Sequence, residues 1–361
     1  MVNMPKCGQI VKPGDVAGFP IEARLSNTDS LGATFPGATF RRDFPRCDTQ
    51  MAQLRLARCL APLLAATLIL LMAACGLAGA QDIGTLQPKP LPPIENPDDP
   101  KVPAKELFGR KPSPAAMEAR SIGYYTHGCL AGGKALPING PTWQVMRLSR
   151  NRNWGHPDLI KFLERFANKV PSIGWPGLLV GDMAQPRGGP MLTGHWSHQV
   201  GLDADIWLTP MPDRELTKQE REEMSATNIV ADDWMDVRPD IWSEKYISLY
   251  RMAAKNPEVE RVLANPAIKK ALCRDVKGDR SWLHKIRPVY GHNYHFHVRI
   301  GCPKDSTECK TQPIPPTDEG CGKDLDWWFS KQAMEPKPGG GRKPILMSAL
   351  PPACKQILMA Q

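Results

Sequence analysis

Two short stretches concentrate the chemistry of this chain. "GHWSHQVGLDADIW", Gly194 to Trp207, holds His195, His198, Asp203 and Asp205, and "HNYHFHVRI", His292 to Ile300, holds His292, His295 and His297. Five of the eight histidines in the 361 residues fall in these two segments. Imidazole nitrogen and carboxylate oxygen are borderline ligands that suit zinc. Two histidines and one aspartate leave the fourth tetrahedral position open, which separates a catalytic from a structural site. A zinc ion so held lowers the pKa of water to about 7 and polarises a carbonyl, so the implied chemistry is hydrolysis of an amide or ester. A chance meeting of surface or core histidines would account for one imidazole but poorly for five. His127, His156 and His284 stand alone and are read as structural or solvent residues. No histidine is followed by glutamate, so the helical HExxH motif is absent.

The elements that must position these groups follow from periodicity. In "GLDADIW", Leu202, Ala204 and Ile206 alternate with Asp203, Asp205 and Trp207; in "HFHVRI", Phe296, Val298 and Ile300 alternate with His295, His297 and Arg299. Period 2 makes each segment a strand with an apolar core face. If the two strands are neighbours, carboxylates and imidazoles converge. Leu159, Phe162, Leu163 and Phe166 recur at helical spacing, "GLLVGDM" (Gly177 to Met183) reads as a buried strand, and "SEKYISLYRMAAKN" reads as a helix capped by Ser243. Asn265-Pro266 opens a further helix through Leu272. Strands and helices do not alternate regularly, which favours α+β over a doubly wound sheet. The expectation is a small, mainly antiparallel sheet carrying the zinc site, flanked by helices and stapled by disulfides.

The rest of the chain says where such a protein works. Composition is that of a globular protein, 42% hydrophobic and 23% charged, with a formal charge of +9. That charge suits an anionic partner: nucleic acid, a membrane surface or a cell-wall polymer. The basic residues are scattered and form no nucleic-acid motif, so no nucleic-acid partner is expected. From Met51, Arg55 and Arg58 precede an apolar run from Leu60 to Ala74 and a small-x-small site at Ala78-Gly79-Ala80. Residues 51–80 therefore read as a secretory signal peptide, with 1–50 as an upstream extension not native to the translated protein and Gln81 as the mature start. The apolar run is short for a membrane span. "LMAAC" is a competing lipobox that would place lipid on Cys75. A proline-rich linker is expected over 81–115, the catalytic domain over 116–332, and a Pro/Gly-rich tail over 333–361. Six of the ten cysteines follow Ala80, an even number that suggests disulfides in an exported chain, although six allow 15 pairings. Cys302 and Cys309 enclose only "PKDSTE", which makes a local pair sterically easy. No CxxC pair occurs, which argues against a thiolate zinc ribbon.

"SHQVGLDADIW" sets His198 and Asp205 in the spacing HxxxxxxD, and "HFHVRI" adds HxH. Together they resemble the zinc peptidase group of lysostaphin-type enzymes, D-Ala-D-Ala peptidases and hedgehog domains. "GCLAGGKALPING", "GHPDLIKFL", "DRSWLHKIRPVYGHNYHFHVRIGCP" and the Cys302, Cys309, Cys321 ladder resemble one branch, the penicillin-insensitive murein endopeptidases. The likeness runs from about Ser121 to Trp328 and reaches Cys354. It implies an exported zinc enzyme that cuts D-alanyl–meso-diaminopimelyl cross-links of peptidoglycan, free in the periplasm, with oligomeric state left open. It implies His198, Asp205 and His297 as zinc ligands, with His195 lining the same site. It implies His295 as general base or oxyanion stabiliser, with His292 as the other candidate. It also suggests a second metal position at Asp233 and Asp236, for which a solvated acidic loop is the alternative. Cys129–Cys354 and Cys273–Cys321 complete the family-like disulfide pairing. Two other readings stay open. One is a zinc D,D- or L,D-carboxypeptidase, with Arg187 or Arg299 receiving a free carboxylate. The other is a non-catalytic wall-binding module, against which the extra imidazoles of His292 and His295 argue.

Overall fold

A computed structural model describes residues 83–335 and 343–361. The expected upstream extension and signal peptide, Cys75 included, lie outside the described residues. Helix α1 (Ala104–Phe108) leads into a hairpin of β1 (Arg120–Tyr124) and β2 (His127–Ala131). The short strands β3 (Lys134–Ala135), β4 (Asn139–Gly140), β5 (Trp143–Val145) and β6 (Trp154–Gly155) follow, then helix α2 (Pro157–Lys169), β7 (Leu178–Val180) and β8 (Asp203–Trp207). Beyond these come α3 (Lys218–Glu223), α4 (Glu244–Lys255), β9 (Val259–Ala264), α5 (Pro266–Asp275), β10 (Ile286–Pro288) and β11 (His295–Ile300). Helices α6 (Lys323–Trp327), α7 (Lys331–Met334) and α8 (Ala353–Met359) close the chain.

The strands that matter here form one seven-stranded sheet, in the order β10-β9-β11-β8-β7-β5-β4. The class is α+β, but the sheet is larger than expected and mixed. β9 and β10 pair in parallel, as do β5 and β7, while the other neighbours are antiparallel. A parallel pair needs a crossover, and α5 and α2 lie on those two crossovers. Of the missed strands in this sheet, β4, β5 and β10 are two or three residues long, too short for a period of 2 to declare itself, while the six-residue β9 sets Glu260 and Arg261 side by side and so breaks the alternation.

The apolar faces do what their spacing requires. Leu202, Ala204 and Ile206 join Phe296, Val298 and Ile300 in the main core, with α2 contributing Leu159, Phe162, Leu163 and Phe166. Burying each large side chain is worth about 1.5–3 kcal/mol. Helix α4 seats Tyr250 on Phe296 at 4.8 Å between ring centroids. Asn265 caps α5 by accepting from the Ala267 N–H, with Pro266 at the first helical position. Ser243 occupies the cap position of α4 but makes no side-chain cap bond, contrary to its expected role.

A second core cluster overturns the picture of an unpacked linker. Ala104 and Phe108 are fully buried with Ile122, Cys129, Cys354 and Ile357, so the chain just before the domain packs against the hairpin and the tail. Proline richness gave no sign of the short apolar helix within it. The pairings Cys129–Cys354, Cys273–Cys321 and Cys302–Cys309 are all present. No helix of the described residues is long and apolar enough to cross a membrane.

Candidate metal centre

Strands β8 and β11 are antiparallel neighbours, with Asp203 opposite Arg299, Asp205 opposite His297 and Trp207 opposite His295. The five polar residues among these share one face, and all are buried. At one end Arg299 donates to Asp203 through Nε (2.5 Å) and Nη2 (2.8 Å), and its guanidinium lies over the Tyr125 ring at 4.1 Å. Asp203 is thereby committed to a structural pair, and burial, which opposes its ionisation, is outweighed by Arg299, so its carboxyl stays below the usual range.

That pair orients the first histidine. Asp203 Oδ2 accepts the His198 backbone N–H at 3.2 Å, and the Asp203 carbonyl oxygen lies 3.3 Å from His198 Nδ1. A carbonyl only accepts, so the ring proton belongs on Nδ1 and Nε2 keeps its lone pair. His198 has φ +70° and His292 φ +52°, a region L-residues hold at a cost of about 1–3 kcal/mol and chiefly where function needs it. His292 donates its Nδ1–H to the Tyr290 carbonyl at 3.0 Å, which leaves its Nε2 free in the same way.

The lone pairs meet at Asp205. Oδ1 lies 3.0 Å from His297 Nε2 and 3.2 Å from His198 Nε2, and Oδ2 lies 3.1 Å from His195 Nε2. Donor atoms of His195, His198, Asp205 and His297 all lie within 4.8 Å of one another, and a second such group joins His292, His295 and His297. Nε2 of His198, His292, His295 and His297 and Oδ1 of Asp205 are buried and find no hydrogen-bond partner among the described residues. Buried polar atoms are almost always paired. A cation shared by His198, Asp205 and His297 accounts for three of these five atoms, and that donor set fits zinc.

The electrostatics agree with that donor set. Burial opposes ionisation of Asp205, but the facing histidines, His195 first, outweigh it and hold its carboxyl well below the usual range. Burial pushes His295 down to about 3 and His297 well below the ordinary imidazole value, so both rings are neutral. For His195, burial is outweighed by Asp205 and Asp182, and its pKa is raised.

Asp182 was missed in the sequence. It follows β7 directly, and its carbonyl accepts the Asp205 N–H at 3.0 Å while Gly181 N–H donates to the Asp205 carbonyl at 2.9 Å. A side chain at Gly181 would stand 2.7 Å from Trp207 Nε1, so only glycine lets the chain approach so closely. Asp182 Oδ2 lies 3.5 Å from His195 Nε2 and accepts from Arg150 (3.1 Å) and Arg152 (2.8 Å). The available sign was a carboxylate placed immediately after the apolar run "GLLVG".

Other site residues from the sequence fall elsewhere. Asp233 and Asp236 belong to neither ligand group. Asp233 accepts from the Met235 N–H in a local turn, and Asp236 pairs with Arg274 at 2.7 Å. Arg187 donates to the carbonyls of Ile357, Leu358 and Ala360, not into the site. His156 caps α2, accepting from the Asp158 N–H.

The family model described as penicillin-insensitive murein endopeptidase matches residues 121–359. The chain belongs to this family. Relatives from several bacteria carry that same name. The one from Haemophilus influenzae is 44% identical over 67% of this chain and 83% of its own length. Those from Klebsiella pneumoniae and Escherichia coli O6:K15:H31 are each 42% identical over 68% of this chain and 88% of theirs. As a penicillin-insensitive murein endopeptidase family member, the chain sets its His and Asp cluster inside the matched region, on β8, β11 and the loops that precede them.

Proposed function

We propose that this protein is a zinc-dependent murein endopeptidase that hydrolyses D-alanyl–meso-diaminopimelyl cross-links of peptidoglycan. The carrying observation is the convergence of unpaired Nε2 atoms of His198 and His297 on Asp205, 3.2 and 3.0 Å away, in a chain of this family. His198, Asp205 and His297 are the ligands, with His195 completing the wall against Oδ2 of Asp205. Zinc bound there supplies Lewis acidity toward water and the scissile carbonyl.

The chain's own groups do the rest. His198 Nδ1–H is spent on the Asp203 carbonyl, which fixes the tautomer. Asp182 Oδ2 faces the same His195 Nε2 at 3.5 Å and is itself held by two arginines. His295, 3.8 Å from Asp205 through Nε2, is neutral and so offers one acceptor and one donor nitrogen. It takes the proton or steadies the developing oxyanion, with His292 behind it. Asp233 and Asp236 stay outside this proposal, because their carboxylates are otherwise engaged. The carboxypeptidase reading loses both arginines named for it, Arg187 to the tail carbonyls and Arg299 to Asp203. Three disulfides favour an oxidising compartment, and the proposed substrate places the enzyme in the periplasm.

The test is digestion of purified cross-linked muropeptides, with and without exhaustive chelation, reading products by mass. Monomers released only by the metal-loaded protein are expected. Equal release after chelation, or no release at all, sinks the reading.

A further inference from the structure

A far larger cavity opens beside the metal centre. The one on the ligand cluster holds about 140 Å³, below the roughly 300–1,000 Å³ of ordinary ligand pockets. The other holds about 1280 Å³, and Arg150 lines both. Arg150 Nη1 also donates to Asp182, the carboxylate beside His195. The large cleft is therefore joined to the site through one side chain.

Its walls come from stretches far apart in sequence: the proline-rich segment 88–100, residues 107–112, the turn Ser149–Asn151, and the tail from 347 to 359. The disulfide between Cys129 and Cys354 ties the tail wall to the β1–β2 hairpin across 225 residues. Five cations line the cleft; Arg110 pairs with Glu106 and Arg150 with Asp182, which leaves Lys89, Lys111 and Lys355 against the two carboxylates of Asp98 and Asp99. Leu91 and Leu358 supply apolar wall. An excess of cations over a partly apolar trough selects an extended anionic peptide.

A cross-link has two stems that diverge from the bond being cut, and 140 Å³ cannot hold both. Resting on the murein endopeptidase reading, we propose that this cleft seats one stem peptide of the cross-link. Its free carboxylates lie against Lys89, Lys111 and Lys355, and its alanyl methyls against Leu91 and Leu358.

The probe is a disaccharide–tetrapeptide muropeptide, which has no cross-link to cut, titrated calorimetrically into the full metal-loaded protein. Lys89→Glu with Lys355→Glu is compared with wild type and with Lys161→Glu plus Lys218→Glu, which reverses the same charge at exposed positions outside the cleft. The cleft reversal is expected to raise Kd at least about tenfold, while the control stays near wild type and added salt weakens wild-type binding. An unchanged Kd in the cleft variant, equal loss in the control, or no binding by wild type overturns the proposal. Hydrolysis of cross-linked dimer is read in parallel. Intact, cleft-dependent binding without hydrolysis sinks the endopeptidase reading and leaves the cleft standing; hydrolysis with an unchanged Kd does the reverse.

Discussion

His297 stands directly opposite Asp205 in the β8–β11 ladder, Nε2 to Oδ1 at 3.0 Å. One register therefore fixes two of the proposed zinc ligands, since a slip of one residue would turn every side chain to the other face. His297→Ala removes a donor from a set of three and should abolish bound zinc and hydrolysis together. Metal content by plasma mass spectrometry, alongside activity, checks it. Stoichiometric zinc with full turnover in this variant would remove His297 from the ligand set.

Asp182 acts through His195. Replacing it by asparagine keeps the shape but withdraws the charge that faces His195 Nε2 at 3.5 Å. The His195 pKa, followed by NMR titration of the metal-free protein, should fall, since Asp182 is one of the two carboxylates that raise it. An unchanged His195 titration would confine Asp182 to anchoring Arg150 and Arg152.

His295 differs from the ligands in what its loss should do. His295→Ala is expected to retain zinc and to lose on the order of a hundredfold or more in rate. Near-normal turnover in the zinc-loaded variant would end its proton or oxyanion role.

Much of the centre was legible because strand period and ligand chemistry point the same way. Alternation in "GLDADIW" and "HFHVRI" forecast both strands, their apolar faces and the facing carboxylate and imidazoles. It could not say that Asp203 and Asp205, on one face and two residues apart, have different duties. That depends on Arg299, which is 96 residues away in sequence and bonds only to the first. Asp182 was hidden for a related reason: it belongs to the site through a backbone pairing with Asp205, not through a motif. The packed stretch before the domain was misread because composition reports the prolines and not the buried Phe108.

The Asp203–Arg299 pair should therefore behave as a buried ion pair. Arg299→Ala leaves Asp203 buried without its counter-charge and should cost about 3–5 kcal/mol. Urea unfolding of variant and wild type measures it. A loss under about 1 kcal/mol, as for an exposed pair, would contradict the burial argument and the clamp on His198.

Lys269 gives a pH signature independent of the metal. Its side chain is fully buried in α5, and Nζ donates to the carbonyls of Leu283 (2.7 Å) and Glu319. Burial first, then Arg287, lower its pKa to about 7, against weaker opposition from Glu319 and Asp318. The unfolded chain keeps the ordinary lysine value, about 10.4. Between these values the unfolded state binds a proton that the folded state has released, so stability must rise with pH across that window. Below pH 7 both states are protonated, and the cost of burying the charge is carried in full. The limiting slope is about 1.4 kcal/mol per pH unit for one such group. The six described cysteines are all disulfide-bonded and add no titration of their own. Urea unfolding at pH 7, 8 and 9 should show wild type gaining stability relative to Lys269→Met, whose curve lacks this term. Parallel curves for the two proteins would mean that Lys269 stays charged in the fold.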